Sequence, residues 1–147
     1  MKCEIVKDFR LYKRLYKMKL VDTESCSFCG TEAETVEHLF TECNHACSFW
    51  EEFLKWWNTK FDVNLQLKER DILFGVTLKS TYNNLLNHCI IVAKQSLYTC
   101  RRLGIPPFFE FYLSKVKKIY QVEKLIAVQN RQIAKFERKW KDIFNGD

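Results

Sequence analysis

Glycine and proline are scarce in this 147-residue chain, with four and two copies respectively. Because those two residues punctuate turns, their scarcity argues against a fold of many short strands, and an aromatic content of 15% argues against disorder. No apolar run reaches the roughly 20 residues needed to cross a bilayer. The opening stretch MKCEIVKDFRLYKR also lacks an apolar core followed by small residues, as a signal peptide would have. The chain therefore reads as intracellular, in cytoplasm or nucleus, with no membrane partner. Seven cysteines form an odd set, and in a reducing compartment they read as thiols and metal ligands, not as a disulfide framework.

What is abundant is apolar and basic. Hydrophobic residues make up 47%, enough at this length for a core without disulfide staples. The net charge of +6 is unevenly spread: residues 1–20 carry +5, residues 21–99 carry −5 and residues 100–147 carry +6. Two basic ends flanking an acidic middle suggest a polyanionic partner such as nucleic acid.

Helical period dominates. Near the N-terminus, Phe9, Tyr12, Leu15 and Tyr16 share one face and Arg10, Lys13, Arg14 and Lys17 the other, which predicts a short basic amphipathic helix. Ala46, Phe49, Trp50, Phe53, Leu54, Trp57 and Phe61 recur at spacings of three and four and predict a core-facing helix. The stretch DVNLQLKERDILFGV alternates weakly and reads as an extended connector with one short strand or turn. From about Ser80 to Arg102, Leu86, Ile90, Ala93, Leu97 and Cys100 mark a helix buried on much of its circumference, stopping near Leu103 before Gly104, Pro106 and Pro107. Pro107 suits the first turn of the next helix. The remainder predicts one helix of more than thirty residues, or two with a bend near Tyr120. If straight, it aligns Lys117, Lys124, Arg131, Lys135 and Arg138 in a stripe opposite Ile126, Ile133, Phe136, Trp140 and Ile143. The chain thus reads as all-α, with a metal module and basic helix over residues 1–45 and a helical body over 46–147.

The metal module is CSFCGTEAETVEHLFTEC. Zinc takes four ligands in tetrahedral array and prefers thiolate and imidazole donors. Cys26 and Cys29 form a Cys-x2-Cys pair on a turn that Gly30 lets close; EAETVEHLFTEC reads as a short helix presenting His38, and Cys43 completes the set. His45 and Cys47 are alternative ligands by reach. Phe28, Val36, Leu39 and Phe40 suffice to fold the stretch over a metal but not alone, so the site reads as structural, with binding free energy serving as folding free energy. Cys89 and Cys100 read as small core residues. His88 adjoins Cys89, but neighbouring helical residues diverge and cannot form a nucleophile dyad. Phe28, Phe40, Tyr98 and Tyr120 could stack on bases, yet their periodic neighbours mark most of them as core.

The run LYKMKLVDTESCSFCGTEAETVEHLFTECNHACSFWEEFLKWW resembles the zinc-binding region that follows the reverse transcriptase domain in non-LTR, LINE-like retrotransposon polyproteins. DILFGV, LLNHCIIVAKQSLYTCRRLGIPPFFEFYLSKVKKIY, VEKLIA and KFERKW resemble the C-terminal tail of the same proteins. The resemblance implies that Cys26, Cys29, His38 and Cys43 are Cys-Cys-His-Cys zinc ligands. It also implies that the chain, joined to the rest of a reverse transcriptase polyprotein, holds template RNA or target DNA during target-primed reverse transcription. Eight residues separate Cys29 from His38, against four in the short retroviral knuckle, which leaves room for a helix inside the module. No Asp-Asp polymerase pair and no endonuclease set can be assembled, so the chain alone is not expected to polymerise or cut. The rival reading is a zinc-stapled module that docks a protein and makes no direct nucleic-acid contact.

Overall fold

The computed structural model describes residues 12–141 and 143–144, and of residues 12–14 the backbone alone. Arg10 and Phe9 lie outside the described residues, as do the side chains of Lys13 and Arg14. The elements in chain order are α1 (Tyr12–Lys17), a π-helical turn (His38–Glu42), α2 (Asn44–Phe61), α3 (Glu69–Phe74), α4 (Asn83–Leu103), α5 (Phe109–Gln129) and α6 (Ile133–Trp140). Among the described residues the β content is one isolated antiparallel bridge, Ser25 to Ala33. The fold is all-α, as the helical periodicity predicts.

α2 buries Ala46, Phe49, Trp50, Phe53 and Trp57, the residues its spacing singles out. Phe49 and Phe53 each meet the Tyr112 ring of α5 at 5.7 Å, and Phe53 stacks on Trp57 at 6.3 Å. Each such side chain stabilises by about 1.5–3 kcal/mol through burial alone, and aromatic pairs add about 0.5–1.5 kcal/mol. These rings dominate the cohesion of the helical body. α4 buries Leu85, Leu86, Cys89, Ile90, Val92, Ala93, Leu97 and Cys100 against it. It ends at Gly104, whose φ of +66° suits the left-handed cap. Cys26, Leu39, Phe40 and Cys43 belong to the same hydrophobic cluster as these helices.

Three expectations need correction. First, DVNLQLKERDILFGV contains a helix, α3, and no strand. The Asp71 carboxylate accepts the Lys68 N–H at 2.9 Å and starts the turn, and Ile72 is buried beneath it. Gly75 ends it with φ +95°, and a Cβ there would sit 2.9 Å from Asn87 Oδ1, the atom that accepts the Val76 N–H. Second, α5 starts at Phe109, so Pro107 precedes the cap residue Phe108 and is not in the first turn.

Third, the last segment is neither one helix nor bent near Tyr120. The chain reverses after Gln129: Gln132 N–H reaches back to Ala127 O at 2.7 Å and Arg131 adopts φ +54°. α6 then folds back antiparallel on α5. Tyr120 meets Phe136, Trp140 and Phe144 at 5.0, 5.5 and 4.9 Å. The Glu123 carboxylate accepts Lys139 Nζ at 2.8 Å and Trp140 Nε1 at 2.6 Å. Phe136, Trp140 and Ile143 are buried as expected, but Ile126 and Ile133 are exposed. The reversal buries the Trp140 ring and gives its indole N–H a carboxylate acceptor, whereas a straight helix would leave that apolar ring in water.

Candidate metal centre

The Cys26–Cys29 turn is built from backbone. Gly30 N–H donates to Cys26 O at 2.8 Å, Cys26 N–H to Glu32 O at 2.7 Å, and Phe28 N–H to the Cys26 sulfur at 3.4 Å. Gly30 takes φ +69°, a conformation that any L side chain would strain. Beyond it, the Thr35 hydroxyl accepts the His38 N–H at 3.0 Å and caps the turn that presents the imidazole. Cys43 is both the last donor and the residue preceding α2, so the first α2 turn is tied directly to the site. Trp50 Nε1 donates to Phe40 O at 2.7 Å and holds the turn onto α2.

The chain brings Cys26, Cys29, His38 and Cys43 together, their donor atoms all within 4.8 Å of one another. Cys26 Sγ and Cys43 Sγ are 4.0 Å apart, and Cys29 Sγ and His38 Nε2 are 3.3 Å apart. A tetrahedral zinc with sulfur ligands at its usual distance sets sulfur pairs about 3.8 Å apart, so the spacing and donor chemistry fit this ion. His38 turns Nε2 toward the thiols, and the Glu42 carboxylate lies 4.0 Å from Nδ1, the side on which metal-bound imidazoles usually meet a carboxylate. Neither alternative ligand joins the group. His45 and Cys47 are exposed, His45 lies by the Phe28 ring, and Cys47 Sγ donates to Thr41 O.

The three thiols differ in their proton affinity. Burial pushes Cys26 up to about 12 and also raises Cys43. Burial acts the same way on Cys29, but hydrogen bonds from Glu32 and Thr31 N–H, the Thr31 hydroxyl and His38 outweigh it and hold that thiol at about 5. One thiolate among protonated, buried neighbours is ready to accept a cation, and loading the site then releases protons.

A residue that spacing does not reveal anchors the turn. Glu34 is fully buried; its Oε2 accepts Ser27 N–H at 2.9 Å and Ser27 Oγ–H at 2.6 Å. Its Oε1 accepts Arg101 Nε at 3.0 Å and an Arg101 terminal nitrogen at 2.8 Å. The acid thus joins the interior of the Cys-x2-Cys turn to the last turn of α4. In sequence it is indistinguishable from Glu32 or Glu37, which also lie between the two ligand pairs, so no signal singles it out.

The predicted basic stripe is not a continuous surface. Lys117 and Lys124 are exposed on α5, Arg131 stands in the reversal, and Lys135 lines a cleft with Glu123, Ile126 and Phe136. Arg138 is exposed on α6, and Lys17 is exposed at the end of α1. Along the chain on either side of the metal donors the charge is the opposite. No Lys or Arg occurs between Lys19 and Lys55, whereas Asp22, Glu24, Glu32, Glu34, Glu37, Glu42, Glu51 and Glu52 do.

No helix among the described residues is long and apolar enough to cross a membrane. No curated protein and no solved structure matches the chain. Residues 5–50, 46 of the 147, match the family described as zinc-binding in reverse transcriptase, a zinc-binding accessory segment and not a catalytic one, and all four donors lie inside the match.

Proposed function

We propose that the chain is a zinc-stapled, nucleic-acid-holding segment of a non-LTR retrotransposon reverse transcriptase, working inside the cell on template RNA or target DNA in target-primed reverse transcription. The observation that carries this reading is the match to a zinc-binding region of reverse transcriptases over the very residues whose donors converge. Cys26, Cys29, His38 and Cys43 hold one Zn2+, which supplies a cross-link and no chemistry, since all four positions are protein donors. The acidic surroundings of the site repel phosphate. Contact falls instead to the basic ends: Arg10, Lys13, Arg14 and Lys17 in the N-terminal basic stretch, Lys117 and Lys124 on α5, and Arg131, Lys135 and Arg138 around the reversal.

A second reading has its own support. α5 leaves Val122, Leu125, Ile126 and Val128 exposed, Leu125 by 66%, and such a face suits the remainder of a reverse transcriptase polyprotein as a protein partner.

Binding of labelled single-stranded RNA and duplex DNA, measured from about 50 to 200 mM salt, tests the first reading. Affinity should fall steeply with salt, and replacing Lys117 and Lys124 together by Ala should flatten the log–log slope for duplex by about 0.9 per lost phosphate contact. Affinity independent of salt, or unchanged in the double variant and in the Arg131→Ala, Lys135→Ala pair, overturns nucleic-acid contact and favours protein docking.

A further inference from the structure

Glu34 does more than fill space. It is a carboxyl side chain with no exposure, and burying its charge costs several kcal/mol unless an opposite charge and hydrogen bonds compensate. The compensation has two halves. Arg101, only 9% exposed, supplies the opposite charge through two donors from α4. Ser27 supplies two more, one of them a backbone N–H inside the Cys26–Cys29 turn. The carboxylate therefore fixes the position of the residue between two metal donors, and its own position is fixed by a helix 67 residues away in sequence.

Resting on the zinc reading above, we propose that Glu34 is the positioning residue of the metal centre and Arg101 its anchor, so that the affinity of the Cys26–Cys29 turn for Zn2+ is set in part by α4. The other restraints on the turn are local to it: two backbone–backbone hydrogen bonds, N–H and hydroxyl donors to the Cys26 and Cys29 sulfurs, and one Gly in a left-handed conformation. Without the carboxylate, Ser27 N–H loses its acceptor and the two sulfurs lose their fixed separation. Arg101 has a second effect. A Cys3His zinc centre carries net negative charge, and the guanidinium neutralises Glu34, the one fully buried carboxylate among the described residues.

A positioning role and a merely structural one differ in their effect on metal affinity. A structural role lowers the stability of the loaded and empty chain alike and leaves metal affinity untouched. A positioning role lowers metal affinity itself, by about 10- to 100-fold for residues that support metal ligands.

The experiment uses the full chain, with Zn2+ affinity from competition against a chromophoric chelator and Co2+ substitution as the spectroscopic probe of tetrahedral thiolate coordination. Glu34→Gln keeps one acceptor for Ser27 and removes the charge; Arg101→Met removes the anchor at similar volume; Ser27→Ala removes only the hydroxyl and leaves the ion pair. Glu34→Gln and Arg101→Met should each weaken Zn2+ by about 10- to 100-fold, with a few-fold loss for Ser27→Ala, and Glu34→Gln combined with Arg101→Met should lose no more than the worse single variant. Wild-type affinity in all three variants, with an unaltered Co2+ spectrum, overturns the proposal while leaving zinc binding intact. A wild-type chain that takes up neither ion overturns the zinc reading itself, and the two failures are distinct. Should Glu34→Gln fail to fold, Ser27→Ala and Arg101→Lys decide the matter by the same readouts.

Discussion

Two carboxylates close two regions of this molecule, and they do so under opposite conditions. Glu34 is completely buried and joins a metal turn to a distant helix, with four donors shared between its two oxygens. Glu123 is about one third exposed and ties neighbouring helices of a hairpin, taking Lys139 and the Trp140 indole. Around Glu123 the aromatic side chains Tyr120, Phe136, Trp140 and Phe144 already bury enough apolar surface to hold the hairpin. Between Cys26 and Cys43, Leu39 and Phe40 join the common core, but the Cys26–Cys29 turn itself is held by hydrogen bonds, the donor cluster and the Glu34–Arg101 ion pair. A carboxylate assists where apolar packing is sufficient and becomes indispensable where it is not.

Removing the metal should produce the largest contrast. Structural zinc sites contribute on the order of 10 kcal/mol to the folding of small modules. After chelation, amide exchange should therefore lose protection at Cys26, Gly30, Glu34 and Cys43 while α4 and α5 retain theirs. Equal loss in both regions would break the distinction, and a fully unchanged melt and helical signal would remove zinc's structural role.

Arg101→Met comes next. It leaves the Glu34 charge buried without its partner, and denaturant unfolding of the zinc-loaded chain should report about 3–5 kcal/mol lost. A loss below about 1 kcal/mol would place this pair in the same class as a surface ion pair.

The Glu123 pair should be worth less, about 1 kcal/mol or below, because water screens it. Its signature is pH. Burial raises the Glu123 carboxyl, but the Lys139 and Trp140 hydrogen bonds and the Lys139 charge outweigh that and hold it below its ordinary value of 4.5. A depressed carboxylate stabilises the fold above its unfolded value, and the contribution disappears as pH falls through the folded one. The stability gap between wild type and Lys139→Met, measured by urea unfolding, should thus be constant at about pH 6 and close as pH drops well below 4.5. A gap that persists in acid would mean that Lys139 acts through packing on Trp140, which its Nζ overlies at 5.0 Å, and not through charge.

Much was legible in the residues. The α2 and α4 core faces follow from three-and-four spacing, because a helix that must bury one side against others writes its period into the chain. The donor set Cys26, Cys29, His38 and Cys43 was legible as a pattern, with His45 and Cys47 as competitors by reach alone. Tertiary placement removed both from the cluster, since α2 turns them to its exposed side. α3 was hidden because six residues hold too few apolar positions to display a period, and its start depends on one Asp71 hydrogen bond. The reversal at Asn130 and Arg131 was hidden because neither Gly nor Pro marks it; Asn130 was the one cue.

By itself, then, the sequence determined an all-α chain, which residues lie inside its long helices, a four-donor metal pattern and a basic-acidic-basic charge order, all of them properties of local spacing and composition. Only the tertiary structure decided that the last segment folds back and divides its basic stripe. Only it chose Glu34, among the eight acids between Lys19 and Lys55, as the buried partner of Arg101. Both outcomes depend on contacts between residues far apart in the chain, Trp140 with Glu123 and Arg101 with Glu34, and such contacts leave no periodic trace because burial is settled by whatever packs on top.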